Sequence, residues 1–271
     1  MNKKFQNAIV RYLNRSISFF QGKKRFQFIF KALYLISLEG MNYGKVHSLN
    51  KDGEIFQLRK LRTLLERKQK VTLFDVGANE GYYSLKLLEI FRGKEIILHA
   101  FEPASDTFMR LKERLQGKGI FLNNLGLSDK KESLILYKSE LGSDYASIYY
   151  SEKSNYSELI QLTTLDDYCE DNGIEMIDFL KIDVEGHEYK GLLGAKRLLN
   201  EKRIHFIQFE FGANNIYSRV FFKDIFEFLT NKGYLIGRIL KDGFVPINKY
   251  HHNLEVYYTT NYIAWIDPSK Y

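Results

Sequence analysis

Two stretches of the chain hold residue types and spacings that can do chemistry. The first runs from Val71 to Tyr83, VTLFDVGANEGYY. Its apolar, β-branched opening reads as a buried strand. The run breaks at Asp75 and passes through Gly77, Asn79 and Gly81, and helical spacing starts at Tyr82. Strand, glycine turn and helix make the first half of a βαβ unit. Its loop falls at the carboxyl edge of a parallel sheet, where open α/β folds bind ligands, and glycines there let backbone approach a ligand closely. The dinucleotide pattern G-x-G-x-x-G is absent, because position 79 is Asn. Asp75 at the strand end would oppose a pyrophosphate but suits a cation. The next strand, Glu95 to Phe101, ends in Glu102-Pro103, and an acid at the tip of strand two is placed to grip a ribose diol. Together these features favour S-adenosylmethionine, which carries a sulfonium and an ammonium and no phosphate, over NAD.

The second stretch is LTTLDDYCEDNGIEMIDFLKIDVEGHEYKGLLGA, residues 162–195. Ile177 to Val184 reads as a strand interrupted by Asp178, Lys181 and Asp183, and its tip carries Asp183, Glu185 and His187. On extended backbone Asp183 and Glu185 point to one side, at the same sheet edge as Asp75 and Glu102. Methyl transfer needs an oxygen aligned in line with the sulfonium carbon, and a hydroxyl needs a base or a cation to activate it. His187 has a suitable unperturbed pKa, with two carboxylates beside it. Alternatively Asp183 and Glu185, with Glu210 at the end of a later strand, hold a divalent cation, and such oxygen ligands suit Mg or Mn. The plainer reading is that His187 packs at a helix start and the carboxylates satisfy backbone donors. Lys181 reads as a snorkelling or ion-paired strand residue.

The motifs D-V-G-A-N-x-G-Y at 75–82, F-E-P at 101–103, T-T-L-D-D at 163–167 and I-D-F-L-K-I-D-V-E-G-H-E at 177–188 resemble, in order and spacing, the FkbM family of S-adenosylmethionine-dependent methyltransferases. The resemblance covers roughly residues 55–265. It implies a class I methyltransferase (Rossmann-like) fold, an open, mostly parallel sheet with helices on both faces. It further implies a cofactor loop of Asp75, Gly77, Asn79 and Gly81, a ribose contact from Glu102, and hydroxyls of sugars or natural products as acceptors.

The elements that must position these groups follow from periodicity. Residues 1–38 read as helical with a break near Gln21-Gly22, and Gly40 to Gly53 as loop or short strands. Helical spacing returns from Ile55 to Arg67. Phe108, Leu111 and Leu115 mark a helix, and 120–127 and 133–137 alternate as strands. Leu141 to Ser157 reads as a polar, mobile loop over the site. Thr164 and Asp167 form a capping box, and Ser218 is placed to cap a helix through Leu229. Trp265 reads as core, and His251-His252 as surface loop. Tyr82, Tyr83, Tyr145, Tyr149 and Tyr150 are rings that can stack on a sugar.

Charge divides the chain. Residues 1–70 hold 16 Lys/Arg against 4 Asp/Glu, and the remainder 24 against 29, giving the net +7. Eight basic residues up to Lys31 interleave with aromatic and aliphatic ones, with no acid among them. That pattern fits an anionic membrane surface or polymer, or a helical cap with a solvated basic face. The expected organisation is a basic, mostly helical extension at 1–54 and a methyltransferase domain at 55–271. A single cysteine, Cys169, excludes an internal disulfide. The expected setting is therefore cytoplasmic, peripheral at the inner face of the membrane where the extension engages it. RNA methylation fits the basic arm, but no recognisable RNA-binding module accompanies it, so no nucleic-acid partner is expected. An inactive scaffold is the non-enzymatic alternative.

Overall fold

The computed structural model describes residues 3–44, 53–139, 146–150, 152 and 154–266. Contacts divide the chain into two units, Met1–Tyr43 and Gly44–Tyr271. The division falls ahead of the expected boundary at 54/55. Its reason is local: the Gly44 amide donates to the Thr259 carbonyl at 2.9 Å, and Gly53 packs against the Leu240 carbonyl. The first unit holds helices α1 (Lys3–Ile17) and α2 (Gln27–Gly40). They are separated by a turn in which Gly22 has φ +71°, where the sequence places its break. Most of the expected Gly40–Gly53 loop lies outside the described residues.

The second unit starts with α3 (Glu54–Leu64), β1 (Lys70–Val76), α4 (Tyr82–Ile90), β2 (Glu95–Phe101), α5 (Ser105–Leu115) and β3 (Phe121–Asn123). Next come four short strands, β4 (Gly126–Leu127), β5 (Glu132–Lys138), β6 (Ala146–Ser147) and β7 (Tyr156–Thr163). Then follow α6 (Leu165–Asp171), β8 (Ile177–Ile182), α7 (Glu188–Leu193), α8 (Lys196–Asn200) and β9 (Ile204–Phe211). The chain continues through α9 (Asn214–Ser218), α10 (Phe222–Thr230), β10 (Tyr234–Leu240), β11 (Gly243–Pro246) and β12 (Thr260–Ile266).

Eight strands form one sheet in the order β11-β10-β12-β9-β8-β1-β2-β3. The run from β9 to β3 is parallel, and β12 enters antiparallel between β9 and β10. Each central strand is apolar on both faces, because helices cover both. On β1, Leu73 joins the core formed with Leu58, Leu61 and Leu87, while Phe74 joins the core formed with Leu180, Leu192 and Phe209. Their period of two sends neighbours to opposite sides.

A second sheet, β4-β7-β5-β6, packs beside the edge. β6 and the start of β7 fall within the stretch expected to be a mobile loop; residues 141–145, 151 and 153 of that stretch lie outside the described residues. Lys138 ties this sheet to α5. Its ammonium is buried and bonds to Asp106 and to Glu158 at 2.5 Å.

Three helix ends differ from the sequence expectation or confirm it with a cause. The Thr164 hydroxyl accepts from the Asp167 amide at 3.0 Å, as the capping box requires. Ser218 ends α9 instead of opening α10. The amides that begin α10, Phe222 and Lys223, donate to the Glu255 carboxylate at 2.9 and 3.1 Å, a cap from a distant loop that no local pattern announces. Trp265 is half-buried and packs against the core beside Phe244, ring centroids 4.8 Å apart.

Gly77 offers a direct test of the packing. A Cβ there would lie 1.8 Å from the Asp183 carbonyl, on backbone at φ +78°. Gly93 has φ +90° with open space around it. Gly93→Ala should cost about 1–2 kcal/mol, the left-handed penalty alone. Gly77→Ala should cost about 3 kcal/mol or more, because backbone must move as well. Denaturant midpoints of the two variants check the difference.

Candidate active site

The carboxyl ends of β1, β2 and β8 open into a cavity of about 620 Å³, a size suited to a small-molecule ligand. Gly77, Ala78, Asn79, Glu102, Lys181, Asp183, Glu185 and His187 line it, and apolar side chains of the second sheet, including Leu136, Ile160 and Leu162, form its far wall. The structure therefore brings the two sequence stretches to one place. It also assigns them more specific jobs than their residue types announce.

In the glycine loop, the Gly77 and Ala78 amides both donate to the Phe101 carbonyl, at 3.0 and 2.8 Å, and the Gly81 amide donates to Ala78 at 2.8 Å. The Asn79 amide donates to Glu102 Oε2 at 3.0 Å. With these amides engaged inside the protein, they form no cradle for phosphate. That is the arrangement a phosphate-free cofactor permits. Gly81, at φ +86°, packs against side chains instead of backbone: a Cβ there would meet the ends of Leu111 and Leu115 of α5 at 2.8 and 2.9 Å. The close approach that the loop glycines allow is thus to the protein's own chain. Glu80 then locks the loop to α5, accepting from Arg110 at 2.9 Å and Arg114 at 2.8 Å. The Arg114 hydrogen bond is the main reason its carboxyl sits below the usual range.

Glu102 occupies the tip of β2 with both carboxylate oxygens held, Oε2 by Asn79 and Oε1 by the Ala104 amide at 2.9 Å. Burial pushes its carboxyl up to about 7, against the pull of those two amides. Asn79 stands in left-handed backbone at φ +49°, and its buried Oδ1 has no hydrogen-bond donor. A buried acceptor without a donor calls for a ligand or water. Both residues line the cavity and fit a cofactor that offers hydroxyl and ammonium donors.

Asp75 is fully buried beneath the loop and is not part of the cavity wall. It accepts from Ser84 Oγ at 2.6 Å, and lies 3.7 Å from the Lys181 ammonium. Lys181 also bonds Asp183 at 3.2 Å and lies over the Tyr83 ring, 4.8 Å from its centroid. Register explains the meeting: Asp75 and Lys181 are partners across β1 and β8, and Asp183 lies two residues on, on the same face. Burial alone would lower the Lys181 pKa, but Asp183, Asp75 and Glu54 hold it well above the usual lysine range. Burial likewise raises Asp75, with Lys181 opposing.

His187 faces the cavity but is clamped at both ring nitrogens. Nδ1 lies 3.0 Å from the Tyr149 hydroxyl and Nε2 lies 3.1 Å from Ser128 Oγ. Burial lowers its pKa to about 4, so it is neutral at physiological pH and held in place. Both ring nitrogens are engaged by hydroxyls, so besides the base role expected of it His187 fastens Tyr149 and Ser128 at the cavity rim. The Ser147 hydroxyl, donating to the Glu185 carbonyl at 3.0 Å, completes the join between β6 and the tip of β8. Glu185 sits at φ +52° and accepts from Asn214.

The three residues expected as metal ligands do not converge. Asp183 turns to Lys181, Glu185 to Asn214, and Glu210 lies on β9. Among the described residues no group of three or more His, Cys, Asp or Glu is arranged to hold a metal ion. The residues present do not fit a divalent cation. His251 and His252 stack on each other in an exposed loop.

The sequence reading missed Glu54 and Gln208. Glu54 lines the cavity and accepts from Gln208 Nε2, while Gln208 accepts from the Tyr83 hydroxyl at 3.1 Å. The Glu54–Gln208 contact spans 154 positions, so local spacing held no signal for it.

A parallel sheet with one inserted antiparallel strand, and a cavity at its carboxyl edge with an acid at the tip of β2, define a class I methyltransferase. The Methyltransferase FkbM domain profile matches residues 75–236, and the chain belongs to this family of S-adenosylmethionine-dependent methyltransferases. It is 26% identical over 175 residues to the 2-O-methyltransferase NoeI of Sinorhizobium fredii, covering 59% of this chain and 70% of that one. It is 27% identical over 172 residues to the hexuronic acid methyltransferase AglP of Haloferax volcanii, covering 59% and 68%. A solved FkbM methyltransferase from Methylobacillus flagellatus is 17% identical with a TM-score of 0.49; the match covers 75% of this chain and 45% of that one.

Replacing His187 separates the two roles. His187→Asn should cost about 1–3 kcal/mol of stability through the hydroxyls it leaves unpaired, while the shape of the pH–rate profile stays as in the parent. Chemical denaturation and rates between pH 5 and 9 check both halves.

Proposed function

We propose that the protein transfers a methyl group from S-adenosylmethionine to a hydroxyl oxygen of a sugar-containing acceptor, a surface glycan or a glycosylated metabolite. The observation that carries the reading is the single cavity holding Glu102, Asn79 and the Asp183–Lys181 pair at the carboxyl edge. The two relatives support a sugar acceptor, since one is named a 2-O-methyltransferase and the other a hexuronic acid methyltransferase.

The bound cofactor supplies an electrophilic methyl. The protein's own groups do the rest. Glu102 accepts from ribose hydroxyls, and the Asn79 Oδ1 takes a further donor. Asp183, at the cavity wall and partly exposed, receives the acceptor's proton as its oxygen attacks. Lys181, whose raised pKa keeps it an ammonium, fixes the Asp183 carboxylate in place. Tyr82, an exposed ring at the cavity, offers a face for a sugar. The apolar wall keeps water from the reacting centre. An inactive scaffold would have no use for a buried Glu102 poised near neutrality.

Titration calorimetry with S-adenosylmethionine tests the cofactor half. Glu102→Ala should weaken binding by about 1–3 kcal/mol. No binding by folded parent protein would overturn the reading.

The pH dependence has a fixed sign. Burial favours the proton on Glu102, so that contribution to the cofactor-free fold is complete below about 4.5 and lost as pH rises through about 7. Ribose hydroxyls favour the ionised form. Affinity should therefore rise with pH, by about tenfold between pH 6 and 8, and Glu102→Gln should flatten the slope.

For the transfer half, Asp183→Asn should retain cofactor binding and lose about 10²–10⁴-fold in rate. Incorporation of labelled methyl into hexuronic acid and other sugar acceptors is the measurement.

A further inference from the structure

The first unit carries an apolar surface without a cover. On α1, Phe5, Ile9, Tyr12 and Leu13 recur at i, i+4, i+7 and i+8, so they share one face, and all four are exposed. The same rotation places Arg11 opposite that face and Arg15 on its flank. The sequence of α2, QFIFKALYLISLEG, is apolar almost all round. A helix of that kind is normally buried, yet Phe28 is 70% exposed and Ile36 64%. In the turn between the helices, the Lys23 ammonium sits 3.5 Å from the Phe19 ring centroid, and Arg25 lies 4.4 Å from that of Phe26. Cations and rings alternate there on the outside of the protein.

We infer that Met1–Tyr43 is a peripheral membrane anchor, lying in the interface of an anionic phospholipid bilayer. Three observations select this occupant. Charge is the first: eight Lys/Arg and no Asp/Glu precede Glu39. A second copy of the chain would bring two such cationic surfaces together, whereas anionic headgroups neutralise them. Apolar content is the second. An anionic polymer would satisfy the cations and leave Phe28, Leu33 and Ile36 in water, while a bilayer interface takes both kinds of side chain. Length is the third. α2 has 14 residues, and among the described residues no helix is long and apolar enough to cross a membrane. The segment therefore lies on the bilayer.

Sedimentation of the full chain with vesicles tests the inference. The probes are equimolar phosphatidylglycerol and phosphatidylcholine, and phosphatidylcholine alone. The parent protein should partition to the anionic vesicles at least tenfold more strongly, since each cation near the surface contributes about fivefold. Arg11→Gln with Arg15→Gln should lower partitioning about 25-fold on the same scale. Ile9→Glu with Leu13→Glu should abolish it. All four side chains are exposed, so the variants should bind S-adenosylmethionine as the parent does, which separates a lost anchor from a lost fold. The inference is overturned if the parent stays in the supernatant with anionic vesicles, or if it binds both vesicles equally. It is also overturned if light scattering shows an oligomer that Ile9→Glu with Leu13→Glu dissociates.

Discussion

The fold of the catalytic unit turns on one buried ammonium. Lys181 sits between Asp75 and Asp183 at the ends of two adjacent parallel strands. Taking such charges out of water costs several kcal/mol per ion, and the cost is offset only where opposite charges and hydrogen bonds are already in place. Asp75 brings the Ser84 hydroxyl from the first turn of α4, and Tyr83 presents its ring to the ammonium. The cluster therefore fixes the height of β1 against β8 and the start of α4 together. Asp183 and the start of the glycine loop take their positions from that alignment.

Above the ion cluster the chain is packed too closely for the loop to be rebuilt at will. Gly77 lets the tip of β1 touch the Asp183 carbonyl, and Gly81 lets α4 start against α5. The loop's amides are turned inward, and Glu80 is bound by two arginines. What faces the cavity is then a small set of acceptors, Glu102 and the Asn79 Oδ1, together with the Asp183–Lys181 pair. An acceptor-lined pocket without an anion cradle suits a cationic cofactor better than a phosphorylated one. The clamp on His187 acts at the opposite rim, joining the small second sheet to the tip of β8.

Much of this was legible in the sequence because it depends on local period and on chain order. The apolar runs at 71–76 and 177–182 are strands by their composition, and the residues that end them lie at the same sheet edge in any parallel arrangement. Asp75, Glu102, Asp183, Glu185 and His187 were placed at that edge on that basis, and all of them but Asp75 line the cavity there. Lys181 was read as a snorkelling or ion-paired strand residue, and it is ion-paired. Residue counts also show that the basic excess lies entirely ahead of the glycine loop.

What the tertiary structure decided is the state and direction of those groups. A histidine with a suitable free pKa is held neutral by burial and occupied at both nitrogens. A carboxylate at the strand tip is pushed towards neutrality, and Asp183 and Glu185, which share an edge, turn to different partners, Lys181 and Asn214. Glu54, the Glu255 cap and the β5–β7 sheet depend on contacts across long stretches of chain. Sequence order alone places a residue on an edge or a face. Desolvation and hydrogen-bond direction, which set its protonation and its partner, exist only once distant segments close around it.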